Sequence, residues 1–164
     1  NGQLMDDPAM QGVFAAAGMI MFLMMPYWHI YGKQNLSNEA YQTTPAHYQV
    51  KVDKMVAEYQ VGEEAGIPIV RPPAGSDVYM LGRLWQWYPI LELEQGQSYR
   101  LHISSMDWNH GFSLQPVNIN VQVHQGYDLV MTLKPDQAGE FGVVCNEFCG
   151  IGHHMMVGKI YVVE

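Results

Sequence analysis

The sequence predicts a mainly β protein, a Greek-key sandwich or barrel, with one N-terminal transmembrane helix. Three observations predict it. No charged residue stands between Asp7 and Lys33, and the stretch they bound is largely apolar. From Val78 onward, short alternating or β-branched runs are separated by turn residues. Finally, 48% of the 164 residues are hydrophobic and 15% charged, so a core can be packed in one domain with one extra element to spare.

The helix comes first. Residues 13–25 read VFAAAGMIMFLMM, too short alone for the roughly 20 residues that cross a bilayer. Pro26-Tyr27-Trp28-His29-Ile30-Tyr31 lengthens the run with the aromatic side chains of an interfacial belt. This predicts a helix over about 9–31 inside a membrane anchor spanning 1–33. Pro26 is tolerated where neighbours satisfy the carbonyl it frees. A secretory signal peptide would carry a basic segment before the apolar run and a small-residue cleavage site after Met25, and neither is present. Periodicity alone does not separate the anchor from a buried core helix. Lys33, the nearby base, follows the helix, which by itself favours keeping the following residues on the cytoplasmic side.

Residues 34–48 are polar and turn-rich, and 61–77 are rich in proline and glycine. Together 34–77 read as a linker and irregular lead-in, with the β domain over 78–164. Candidate strands are 78–84, 98–104, 119–123, 129–133, 142–144 and 159–163. In Asn118-Ile119-Asn120-Val121-Gln122-Val123 the alternation is strict, as for a strand with one wet face. Glu94-Gln95-Gly96-Gln97, His124-Gln125-Gly126-Tyr127 and Lys134-Pro135-Asp136-Gln137 supply turns.

Composition excludes several functions. Sixteen acids against eight bases give a net charge of −8, which leaves nothing to neutralise phosphates in bulk and argues against a nucleic-acid partner. Ten Tyr, five Phe and four Trp argue against disorder. Two cysteines do not make a disulfide-dense scaffold.

The chemistry is concentrated in Cys145-Asn146-Glu147-Phe148-Cys149-Gly150-Ile151-Gly152-His153-His154-Met155-Met156. Thiolate, imidazole and thioether form a soft donor set that selects copper, and methionine speaks against structural zinc. Taken singly, each residue has a plainer reading: a disulfide for the cysteines, a surface loop for either histidine, core filling for either methionine. A disulfide leaves the adjacent histidine and methionine unexplained. A single blue-copper ion uses one cysteine, so this loop has one too many. Two thiolates can instead bridge two copper ions, each of which also needs an imidazole, and the second histidine must then come from elsewhere.

The pattern C-x-E-x-C-G-x-G-H-x-x-M, carried by Cys145, Glu147, Cys149, Gly150, Gly152, His153 and Met156, resembles the binuclear copper (CuA) loop of cytochrome c oxidase subunit II. Met106-Asp107-Trp108-Asn109-His110-Gly111-Phe112 is similar to the segment bearing that family's other histidine, and Asn118-Ile119-Asn120-Val121 is also similar. The single preceding helix resembles the one-helix subunit II of B-type haem–copper oxidases. The resemblance implies a cupredoxin-like fold for 78–164. It implies Cys145 and Cys149 as bridging thiolates and His110 and His153 as imidazole ligands. Met156 and the Glu147 carbonyl would be weak axial ligands. It selects His153 over His154 and Met156 over Met155, and leaves His29, His47, His102 and His124 as surface or belt residues. The Glu147 side chain resembles one that, in some members, reaches magnesium at the contact with subunit I. Leu84-Trp85-Gln86-Trp87-Tyr88 resembles the aromatic segment where electrons arrive from cytochrome c, although paired aromatics at period 2 also suit a sandwich core, and Gln86 stands where the family usually has another aromatic.

The function implied is electron transfer from cytochrome c to haem in subunit I, where oxygen is reduced and protons are pumped. The setting implied is a single-pass subunit in the cell (inner) membrane, in contact with lipid, its copper domain extracytoplasmic. The acidic balance would steer a basic cytochrome. The same module in a nitric oxide reductase, and a membrane-anchored copper carrier or disulfide-bonded binding domain, are the alternatives.

Overall fold

A computed structural model describes residues 7–32, 38–117 and 119–164. Lys33, Gln34 and Asn118, on which expectations above fall, lie outside the described residues. The chain divides into two compact units, Asn1–Asn35 and Leu36–Glu164.

The first unit holds α1 (Pro8–Tyr31). Its start is fixed locally: the Asp7 side chain accepts the Ala9 N–H at 2.9 Å, and Pro8 stands in the first turn, where a missing N–H costs nothing. At 1.5 Å per residue the helix is about 36 Å long, enough for a hydrocarbon core of about 30 Å. Its apolar side chains, Phe14, Ile20, Phe22 and Leu23 among them, are exposed, and none of its residues is buried. Among the described residues α1 is the one helix long and apolar enough to cross a membrane.

The second unit starts earlier than the sequence suggested. The stretch 34–77, expected as linker and irregular lead-in, contains β1 (Glu39–Gln42), α2 (Pro45–Tyr59), β2 (Gln60–Glu64) and β3 (Ile67–Val70). That expectation is corrected. In α2, Pro45 sits in the first turn behind the N-cap Thr44, whose hydroxyl accepts the His47 N–H at 3.2 Å. Tyr48, Val52 and Met55 recur at helical spacing as its buried face. The β2–β3 hairpin turns on Ala65 (φ 50°) and Gly66 (φ 80°), the left-handed pair a two-residue type I′ loop requires.

The remaining strands are β4 (Asp77–Arg83), β5 (Gln86–Tyr88), β6 (Ile90–Glu94), β7 (Tyr99–Ser105), β8 (His110–Gln115), β9 (Ile119–Val123), β10 (Tyr127–Leu133), β11 (Gly139–Cys145) and β12 (Val157–Val163). They form a five-stranded sheet ordered β1-β10-β7-β4-β5 and a seven-stranded sheet ordered β2-β3-β6-β12-β11-β8-β9. Parallel pairing of β4 with β7 and of β6 with β3 and β12 makes both sheets mixed. Expected strands reappear within a few residues of their predicted bounds, while β5, β6 and β8 are additional.

One apolar core includes Met80, Leu101 and Met131 from the first sheet and Leu91, Phe112 and Ile160 from the second. Cys145, Cys149 and Met156 belong to the same core. The chemistry-bearing loop is therefore an end of the hydrophobic interior. His102, expected at the surface, is buried: its Nδ1 lies 3.0 Å from both oxygens of the buried Asp128. A carboxylate partner on the neighbouring strand β10 is what permits a polar ring there.

Candidate metal centre

Three strands converge on the site. β11 ends at Cys145, β8 begins at His110, and β12 leaves from Val157. β8 lies beside β11, with Cys145 opposite Phe112. The loop from Cys145 is closed at its base by the Cys145 N–H, which donates to the Met156 carbonyl at 3.1 Å. Within it, Gly150 has φ +115°, left-handed backbone that a side chain would strain. The His153 N–H donates to the Gly150 carbonyl at 3.1 Å, and a 3-10 turn spans His153–Met155.

This turn separates the two candidate pairs. His153 is half-buried and faces Cys149, its Nδ1 3.7 Å from the sulfur, whereas His154 is exposed. Met156 is buried with its Sδ 3.8 Å from the Cys149 Sγ, whereas Met155 is exposed. On the other side, the His110 Nδ1 lies 3.9 Å from the Cys145 Sγ. The two sulfurs are 3.8 Å apart and both cysteines are free. The Cys145 thiol also points at the Glu147 carbonyl, 3.3 Å away. His110, Cys145 and Cys149 are all buried and form the one cluster of three or more His, Cys or acidic ligand atoms among the described residues. The donor set is soft and its members converge, so the residues present fit a copper site.

The Glu147 carboxylate turns outward and accepts from Gln122 Nε2 at 2.9 Å. His47 and His124 take no part: the first is exposed beside Thr43, the second is bonded to Asn109. His29 lies on α1.

Electrostatics fix which nitrogen of His110 faces inward. Its Nε2 is 2.8 Å from Asp107 Oδ1. A carboxylate only accepts, so Nε2 carries the proton and the Nδ1 lone pair is turned toward Cys145. Burial pushes the Asp107 carboxyl upward, but hydrogen bonds from His110 and from the Trp108 and Leu84 N–H groups outweigh it and hold the group below its ordinary value. The Cys149 thiol is pushed up to about 11, first by burial and then by the neighbouring Cys145. The sequence reading did not find Asp107. An acid three residues before a ligand histidine is the available signal.

The two tryptophans occupy different places. Trp87 is 1% exposed, packed edge-on against His110 and Phe112. Trp85 is 38% exposed and lies over the loop, donating its indole N–H to the Cys149 carbonyl at 3.3 Å. A Cβ at Gly152 would stand 2.3 Å from the Trp85 ring, so that glycine is what lets indole and loop meet.

No protein-family model matches the chain. It is 36% identical to cytochrome c oxidase subunit 2 of Thermus thermophilus over 93 residues, covering 56% of this chain and 69% of that protein. Among solved structures, a heme-copper terminal oxidase dimer studied by cryo-electron microscopy has a chain matching 93% of this one and 99% of itself, with TM-score 0.56 and 21% identity. Rusticyanin from Thiobacillus ferrooxidans matches 78% of this chain and 99% of itself, with TM-score 0.55 and 16% identity. These two structural likenesses give the fold, cupredoxin-like.

Proposed function

The chain belongs to the cytochrome c oxidase subunit 2 family, and from that premise we propose that it is the electron-accepting subunit of a membrane haem–copper oxidase, built around a binuclear copper centre, CuA. The observation that carries this reading is the paired geometry of the loop. Two buried thiols stand 3.8 Å apart, and each has its own imidazole, His110 beside Cys145 and His153 beside Cys149. A single blue-copper ion takes one thiolate, so it would leave a thiol without use; a pair of ions would give both thiolates and both imidazoles a donor role. Met156 would serve as a weak donor on one side and the Glu147 carbonyl on the other.

Copper held there supplies a redox centre that takes up and releases one electron. The chain's own residues hold it still. Asp107 orients His110, Trp87 and Phe112 pack behind it, and the closed loop fixes the sulfurs, so little rearranges when charge arrives. Trp85, half-exposed and bonded to the Cys149 carbonyl, is the aromatic bridge from a c-type cytochrome. Phe148 and Ile151, the latter 90% exposed, form an apolar tip that would be covered by subunit I, whose haem receives the electron for oxygen reduction coupled to proton pumping. α1 would anchor the subunit in the lipid with the β unit on the extracytoplasmic side. Magnesium at the same contact would draw one ligand from the Glu147 carboxylate and the rest from outside this chain.

The test is electron paramagnetic resonance of the copper-loaded chain. One electron shared over two copper nuclei is expected; a single-copper spectrum would overturn the reading. His154→Ala should keep that spectrum and His153→Ala should lose it.

A further inference from the structure

We propose that Asn120 and Gln122 of β9 are positioning residues for the metal loop, their side chains holding Asn146 and Glu147 so that the Glu147 carbonyl faces the Cys145 sulfur. The inference rests on the copper reading above and assigns a use to the wet face of β9, which the ligand set leaves unexplained.

Asn120 and Gln122 stand two apart on one strand, so their side chains share a face. β9 is an edge strand whose sheet partner is β8, with Gly111 opposite Gln122 and Ser113 opposite Asn120. The loop leaves β11 on the far side of β8. To reach β9, its first residues must cross β8, and they do so over Gly111. The Asn146 N–H donates to the Gly111 carbonyl at 3.3 Å. A Cβ on Gly111 would overlap Asn146 Oδ1 and stand 2.9 Å from the Glu147 nitrogen. The missing side chain is thus the floor on which the loop lies.

Across that floor two hydrogen bonds close. Asn146 Nδ2 donates to Asn120 Oδ1 at 3.0 Å, and Gln122 Nε2 donates to Glu147 Oε1 at 2.9 Å. Consecutive loop residues are therefore tied to alternate residues of one strand. The pair restrains the backbone leading into the Glu147 carbonyl, which lies 3.3 Å from the Cys145 Sγ. The chemistry of the clasp is asymmetric. Asn120 acts as an acceptor, a role aspartate can fill. Gln122 must donate, and glutamate there would face Glu147 with like charge.

The experiment uses the full chain in detergent, with Asn120→Leu, Asn120→Asp, Gln122→Leu and Gln122→Glu. Amide hydrogen exchange is measured on the metal-free protein, and the reduction potential and paramagnetic spectrum on the copper-loaded protein. Either leucine variant and Gln122→Glu should speed exchange at Asn146, whose N–H is held by the Gly111 carbonyl, about tenfold, the effect of losing one hydrogen bond, with β12 unchanged. The two leucine variants should also raise the reduction potential, because a weakened carbonyl donor disfavours the oxidised state. Asn120→Asp should exchange as wild type. Exchange that is unchanged at the loop, or faster everywhere alike, overturns the clasp. Faster loop exchange with wild-type potential and spectrum overturns the positioning of the carbonyl. The exchange measurement needs no metal, so it decides the clasp even for a chain whose wild type fails the two-copper test.

Discussion

Asp107 offers the sharpest perturbation of the site, because it touches a candidate ligand without being one. Its Oδ1 accepts from His110 Nε2 at 2.8 Å and from the Trp108 N–H at 2.6 Å, and its Oδ2 accepts from the Leu84 N–H at 2.7 Å. Asparagine can keep the first two acceptors, but its NH2 group then faces the Leu84 N–H, donor against donor. An unsatisfied donor costs about 1–3 kcal/mol, and His110 loses an anionic partner as well. Replacing such an outer partner of a metal-bound histidine typically lowers metal affinity about 10–100-fold, or roughly 1.4–2.7 kcal/mol. Asp107→Asn should therefore weaken copper binding by that factor in competition with a chelator, while the metal-free chain still unfolds cooperatively. Asp107→Ala should do more, since it also frees the residue before Trp85. A rival restraint exists. His110 is walled in by Trp87, 6.0 Å between ring centroids, and by Gly82, where an added Cβ would stand 3.1 Å from the imidazole Cδ2. If Asp107→Asn bound copper as wild type with its fold intact, packing rather than the carboxylate would orient the ring.

Three further outcomes are expected. Trp87→Ala should cost about 3–5 kcal/mol of stability in denaturant unfolding, as for a buried aromatic; Trp85→Ala should keep copper content but slow reduction by a c-type cytochrome in stopped flow, and wild-type reduction rates in both variants would end the case for Trp85. Copper uptake should strengthen with pH, because a thiol held up to about 11 at Cys149 must shed its proton to ligate; the apparent affinity should rise about tenfold per pH unit for each thiol that ionises, and a flat profile would contradict thiolate ligation.

What the sequence made legible follows from how far apart the interacting residues lie. Ile119–Val123 alternates because one face is wet, and its bounds were read correctly. β8 is buried along nearly its whole length, so it carries no alternation to read. β6 pairs in parallel with β3 and β12, strands remote in sequence, so no hairpin turn announces it. α2 is hard to see in the sequence because one apolar side chain per turn, Tyr48, Val52 and Met55, is a faint signal in a polar stretch. The donor loop was legible because its ligands are local, from Cys145 to Met156. Asp107 was visible only as an acid near a histidine. Asn120 and Gln122 acquire their roles only through the β8–β9 register, which no local pattern encodes.

Burial of the donors favours a resident redox centre over a copper carrier. Cargo metal has to leave, which requires donors that open to solvent or to a receiving protein. Here Cys145, Cys149, Met156 and His110 are buried, and the first three belong to the hydrophobic core. The loop is tied at its base between Cys145 and Met156 and held under Trp85. Releasing an ion would mean breaking that closure and exposing core surface together. A site whose donors are part of the interior resists exchange, and the same rigidity keeps ligand positions alike in two charge states. Electron transfer rewards that property and metal delivery is hindered by it.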